Sequence, residues 1–143
     1  FAALERLGIP HLAERPFTEL SGGEQQMTLI ARALVQDGTI LVMDEPAAAL
    51  DLRNQATVLA TVRSLADESH GVVMTSHNPD HAFMVASRAV LLTRERRILS
   101  GPVDEVLSEE NLQEAYGTRV RVIDTVDDDG RPTRTCLPSL HTL

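Results

Sequence analysis

Ile40-Leu41-Val42-Met43-Asp44-Glu45-Pro46 is the stretch that decides the fold. With Thr39 before it, the run is short, apolar and unbroken, which predicts a strand buried on both faces of a parallel sheet. Pro46 has no N–H for a ladder and ends the strand at once. Neighbouring side chains on a strand point to opposite sides. Asp44 and Glu45 therefore arrive at the sheet edge as a divided pair of carboxylates. One can hold a divalent cation, usually through water, while the other faces a nucleophilic water. An isolated Asp-Glu pair reads more simply as a solvated acidic turn, so the pair needs a second feature beside it.

That feature lies upstream, in Leu20-Ser21-Gly22-Gly23-Glu24-Gln25-Gln26. Ser21 sits where an N-cap belongs, and Glu24 holds the position that closes a capping box. The helix is expected from about Gly22 to Gln36, with Met27, Ile30, Ala31 and Leu34 on one face and Asp37-Gly38 ending it. Its first N–H groups and the positive end of its dipole suit an anion. Glycine lets such an anion approach the backbone, and the Ser21 hydroxyl adds a donor.

Outward from these two motifs the chain reads as alternating helices and strands. Phe1, Leu4 and Leu7 have helical spacing, with Gly8 as a C′ residue; His11 reads as a solvated loop residue. Asp51 is the expected N-cap of a helix from about Leu52 to Glu68, with Val58, Leu59, Val62, Leu65 and Ala66 as its apolar stripe. Val72–Ser76 reads as a second buried strand ending at His77. Asn78 and Pro79 open a helix to about Val85. Ala89–Leu92 is a third strand, Ile98-Leu99 begins a return strand, and two short helices follow, 103–107 and 108–116. Beyond them, residues from Arg119 alternate imperfectly, Asp127–Gly130 is a turn, and Thr133–Leu137 pairs back as a hairpin. This order is α/β with a parallel sheet. Three parts are expected within 1–137, namely 1–36, 37–100 and 101–137, with 138–143 loose.

The bulk properties narrow the function. The 143 residues suffice for one modest core. A net charge of −8 and a pI near 5.0 argue against a nucleic-acid surface. The single Cys136 gives no intramolecular disulfide. No apolar run approaches the roughly 20 residues of a membrane span, and no signal peptide is expected. The 13 basic residues are all arginine, so the GxxxxGK[ST] phosphate loop, which needs a lysine, is not among these residues. The chain begins at Phe1 inside what reads as a helix and is expected to be part of something longer.

The two motifs, in this order and spacing, resemble the C-terminal half of an ATP-binding cassette (ABC) ATPase, a P-loop NTPase fold. The resemblance runs from Phe1 to about Leu137. It implies that Asp44 serves Mg²⁺ through water and that Glu45 polarises the attacking water. It makes His77 the switch histidine bonding the γ-phosphate. It assigns Leu20, Ser21, Gly22, Gly23 and Glu24 to the signature that meets ATP on the opposite subunit, and Leu50 and Asp51 to the D-loop at the dimer interface. Arg32 and Arg53 read as solvated or salt-bridging. The family commonly has Thr-Ser where Ala47-Ala48 stand, and Gln where Glu24 stands.

The resemblance also implies cofactors and partners: ATP and Mg²⁺, a second ATPase subunit in a homodimer, transmembrane permease subunits, an extracytoplasmic binding protein acting indirectly, and no nucleic acid. The expected place is the cytoplasmic face of the cell membrane. Gly101-Pro102-Val103-Asp104-Glu105-Val106-Leu107, with Glu110-Asn111-Leu112 and Ala115-Tyr116-Gly117, is similar to the iron–siderophore, haem and cobalamin importers. In the family, the P-loop, adenine-stacking loop and glutamine loop lie upstream of what matches Phe1. The 143 residues alone are therefore expected to be inactive and to expose unpaired strand edges between 72–76 and 89–93. Two alternatives are a non-catalytic truncated ABC domain and a DNA-repair ATPase head of the SMC type.

Overall fold

Helix α2 (Gly22–Leu34) starts where its sequence stores a cap: Ser21 Oγ accepts from the Glu24 N–H, and the Glu24 carboxylate accepts from the Ser21 N–H. It buries Gly23, Met27, Ile30 and Ala31, while Leu34 is only half-buried. The helix stops at Leu34, short of the expected Gln36; Asp37 lies outside the described residues. The computed structural model describes residues 1–36, 38–68 and 70–140.

Two units divide between His77 and Asn78. In the first, α1 (Ala2–Arg6) buries no residue fully, and Gly8 follows it at φ +71°, the left-handed C′ expected of it. Two 3₁₀ turns, Pro10–Leu12 and Phe17–Glu19, lead to α2, and His11 is exposed in the first. Strand β1 (Ile40–Met43) pairs in parallel with β2 (Gly71–Met74), with Ile40 opposite Gly71 and Met43 opposite Met74. Between them runs α3 (Leu52–Asp67), capped by Asp51 Oδ1 accepting from the Asn54 N–H at 2.8 Å. Val58, Leu59, Val62 and Leu65 make its buried stripe, and α2 packs against it.

Three expectations need correction in this unit. Strand β1 is not buried on both faces: Leu41 is buried, but Ile40 is 64% and Val42 78% exposed. Val73 of β2 is exposed on the same face. Among the described residues of this unit, helical cover reaches only the Leu41 side, and the apolar run continues onto a face that those residues leave open. Ala66 is exposed, because it falls off the α3 stripe. Strand β2 ends at Met74, although the Thr75 N–H still reaches Met43 O at 3.0 Å.

The second unit opens with α4 (Pro79–Val85), capped by Asn78. Strands β3 (Arg88–Leu92) and β4 (Ile98–Pro102) form an antiparallel hairpin, so β3 does not extend the parallel pair. Short α5 (Val103–Val106) and α6 (Glu109–Tyr116) follow, the latter capped by Ser108 as expected. The closing hairpin joins β5 (Val120–Val126) to β6 (Pro132–Pro138), with Val122 opposite Cys136. Leu91, Val103, Val106, Leu107, Leu112 and Val120 form this unit's core. Pro138 still pairs with Val120, and the Ser139 N–H reaches Arg119 O; residues 141–143 lie outside the description. Among the described residues, no helix is long and apolar enough to cross a membrane.

Candidate functional site

The C-terminal ends of β1 and β2 lie side by side, which brings Asp44 and Glu45 to the residues that follow Met74. The Thr75 hydroxyl donates to Asp44 Oδ1 at 2.6 Å and accepts from the Glu45 N–H at 2.9 Å. Two residues on, His77 Nε2 stands 2.6 Å from Glu45 Oε1. The imidazole is mostly exposed and the carboxylate about one-third exposed, so the pair sits at an open edge rather than inside the core. Sequence reasoning named all three titratable residues of this group. It missed Thr75, which carries no motif signal beyond its place two residues before the histidine.

The backbone here is bent. Glu45 has φ +45° and Ala49 φ +56°, a region that non-glycine residues rarely occupy. The Ala48 N–H donates to Glu45 O at 3.0 Å and closes the turn. Ala47 is buried, so the Pro46–Ala49 segment is seated at one point and turned outward at the next. Leu50 O accepts from Gln55 Nε2 at 2.9 Å, and Asp51 Oδ2 from Asn54 Nδ2 at 3.0 Å. Asp51 therefore has a full structural occupation as a cap.

The Ser21 turn stands beside that second helix start. A Cβ built on Gly23 would come within 2.4 Å of the Asn54 amide and 2.9 Å of Asn54 Cβ. A Cβ on Gly22 would meet Leu50 Cδ2 at 3.5 Å. Gly23 is thus required by the close approach of α3 to α2. The N–H groups of Gly22 and Gly23 lie in the first turn, where no intrahelical carbonyl is available. Glu24 is committed elsewhere: one oxygen takes the Ser21 N–H at 2.8 Å, the other the Arg15 guanidinium at 3.2 Å. The Ser21 backbone donor, then its hydroxyl, with Arg15 and His11 adding, hold the Glu24 carboxyl below its usual range. Gln25 Nε2 binds Leu20 O at 3.0 Å and Phe17 O at 3.3 Å, anchoring the approach to the turn, and Leu20 itself is buried. Arg32 and Arg53 are exposed.

The donors suit one kind of cation. No cluster of three or more His, Cys, Asp or Glu side chains able to hold a metal occurs among the described residues. Magnesium does not need one: it keeps most of its water and takes one or two carboxylates plus phosphate oxygens. Asp44, with one oxygen oriented by Thr75, is a donor of that kind.

Known proteins resemble this chain in sequence and in structure. Residues 2–48 match the family model of the ABC transporter. An uncharacterized ABC transporter ATP-binding protein of Haemophilus influenzae is 40% identical over 116 residues, 81% of this chain and 44% of that protein. The hemin import ATP-binding protein HmuV of Rhodococcus jostii is 45% identical over 112 residues, 78% of this chain and 38% of its own length. The zinc import ATP-binding protein ZnuC of Marinobacter nauticus is 39% identical over 120 residues, 83% and 46% respectively. The chain thus spans less than half the length of these curated relatives. A solved structure, described as an inward-facing conformation of a metal-chelate type ABC transporter, superposes with a TM-score of 0.89 at 32% identity. That match covers 96% of this chain and 55% of the other.

Proposed function

We propose that this chain, which belongs to the ABC transporter ATP-binding family, forms the signature-to-histidine-loop portion of an importer's ATPase subunit. The observation that carries the reading is the group at the end of the parallel pair: Asp44, Glu45 and His77 within hydrogen-bond reach of one another or of Thr75. In this reading Glu45 takes the proton of the attacking water as general base. His77 Nε2 stands against Glu45 Oε1 and fixes the carboxylate's direction; its one proton goes either to that carboxylate or, when nucleotide is bound, to a phosphate oxygen. Asp44 is the carboxylate for Mg²⁺, which when bound neutralises phosphate charge. The N–H groups of Gly22 and Gly23 and the Ser21 hydroxyl face the nucleotide of a second subunit. Leu20 and Glu24 shape that turn rather than touch phosphate. Leu50 and Asp51 lie at the subunit interface.

The site is divided between two copies and lacks the lysine loop among these residues, so we assign hydrolysis to a longer subunit acting as a dimer. The 143 residues alone are inactive in this reading. Residues 1–36 complete a helical subdomain, 37–100 the catalytic core, and 101–137 the C-terminal helices and hairpin. The subunit would sit at the cytoplasmic face of the membrane on permease subunits, served indirectly by an external binding protein. The cargo we favour is a metal chelate of the iron–siderophore, haem or cobalamin class. Its support is the 101–117 segment, the hemin-import relative and the metal-chelate transporter structure. The similar ATP-binding protein of Marinobacter nauticus is a zinc importer's, so metal import is common to these relatives.

The test begins with the coding DNA upstream of Phe1. The frame is expected to continue into a strand followed by GxxxxGK[ST], and the full-length product to hydrolyse Mg-ATP. A start codon immediately before Phe1 with no such frame, or a full-length protein without Mg-dependent turnover, would overturn the proposal.

A further inference from the structure

We propose that Thr75 is a positioning residue whose single hydroxyl sets both carboxylates of the ATPase site; the inference rests on the reading given above. The hydroxyl has one proton and two lone pairs. Its proton goes to Asp44 Oδ1 at 2.6 Å, and a lone pair takes the Glu45 N–H at 2.9 Å. These two contacts do different things. The first turns the Asp44 carboxylate so that one oxygen is committed to the protein. The second pins the Glu45 peptide where φ is +45°, a conformation a glutamate does not hold by preference.

The placement gives the contacts their consequence. Thr75 follows β2 directly, and its own N–H extends the pairing by donating to Met43 O at 3.0 Å. Its backbone is thus locked to the residue just before Asp44, and its side chain to the two residues after Met43. His77, on the same segment, meets Glu45 Oε1 at 2.6 Å. The Glu45 residue is therefore held from both ends by one short segment, by Thr75 at its amide and by His77 at its carboxylate. Valine has the same shape as threonine and neither donor nor acceptor; serine has both and lacks only the methyl group. A general base displaced by about an ångström can lose on the order of 100-fold in rate.

The experiment compares Thr75→Val and Thr75→Ser in the full-length subunit, with two readouts. In nucleotide-free protein, amide hydrogen exchange at Glu45 should quicken at least about 10-fold in Thr75→Val and return toward the parent rate in Thr75→Ser. In Mg-ATP turnover, Thr75→Val should lower kcat by about 10- to 100-fold with KM changed less than about twofold, and Thr75→Ser should restore it. Unchanged Glu45 protection in Thr75→Val overturns the proposal whatever the turnover. So does a kcat within about twofold of the parent, or a Thr75→Ser protein as impaired as Thr75→Val, which would make the methyl packing the cause. If the parent protein shows no ATP turnover, the proposed function fails, and the exchange readout still decides whether the hydroxyl holds Glu45.

Discussion

His77 Nε2 stands 2.6 Å from Glu45 Oε1, although the two residues belong to different strands' ends and are joined only through the whole of α3. The contact makes the carboxylate's direction depend on the imidazole. Glu45→Gln keeps the shape and removes the basic oxygen. In the full-length subunit it is expected to cut ATP turnover by at least about 100-fold while nucleotide-bound dimers accumulate. Turnover measured by phosphate release, with dimers followed by gel filtration, checks this. A variant that hydrolyses ATP at the parent rate would remove Glu45 from the role of base.

The packing of α2 on α3 gives a second test, independent of nucleotide. Gly23→Ala places a methyl group about where the Asn54 amide already is, 2.4 Å from its Cγ and Oδ1. Overpacking of this kind costs about 1–3 kcal/mol. Thermal unfolding should show it, and Asn54→Ala in the same chain should recover part of the loss, since Asn54 Cβ at 2.9 Å remains too close. Two independent, additive losses would show that the residues do not meet.

Ser21 separates a structural role from a functional one. Ser21→Ala removes the hydroxyl that accepts from the Glu24 N–H and should cost about 1 kcal/mol of helix stability. Ser21→Arg adds bulk and charge at the turn and should abolish ATP-driven dimerisation of the full-length subunit. Dimers that form normally with arginine at this position would show that the turn does not face a partner's nucleotide.

Cys136 gives the chain a pH dependence at the alkaline end. Burial, with the Asp80 carboxylate adding, pushes its thiol from an ordinary 9.0 up to about 11. Asp80 Oδ1 also accepts the Cys136 N–H at 2.7 Å, which fixes the charge close by. Between these two values the folded chain keeps a proton that the unfolded chain has released. The stability from this group is therefore complete below pH 9.0 and falls as pH rises through about 11. Iodoacetamide should modify the folded protein far more slowly than the urea-unfolded chain at pH 9, with the difference closing above pH 11. Equal rates at pH 9 would contradict the shielded thiol.

Much of the site could be read from residue order alone. Ser21 with Glu24, Asp51, Asn78 and Ser108 each announce a helix start, because a cap is a local contract between a side chain and an amide two or three residues on. Asp44 and Glu45 were legible for the same reason: an apolar run that stops at a proline ends its strand where the next side chains fall. The stripe from Val58 to Leu65 follows from helical period, and the turn at Asp127–Gly130 from its residues.

What only the tertiary structure decided are the relationships across long stretches of chain. Which face of β1 is covered depends on where helices pack, so Ile40 and Val42 are exposed although their composition reads as buried. The return of Ile98-Leu99 on β3 is readable in the sequence, whereas the length of the pairing, out to Arg88 opposite Pro102, is a choice of hydrogen-bond partners to which apolar patterning is blind. Thr75 becomes a link between two carboxylates, and Asn54 the reason for Gly23, only when segments distant in the chain are brought together. Local chemistry determines where elements begin and end; the meeting of their ends is a property of packing, and the chemistry of this site lies in those meetings.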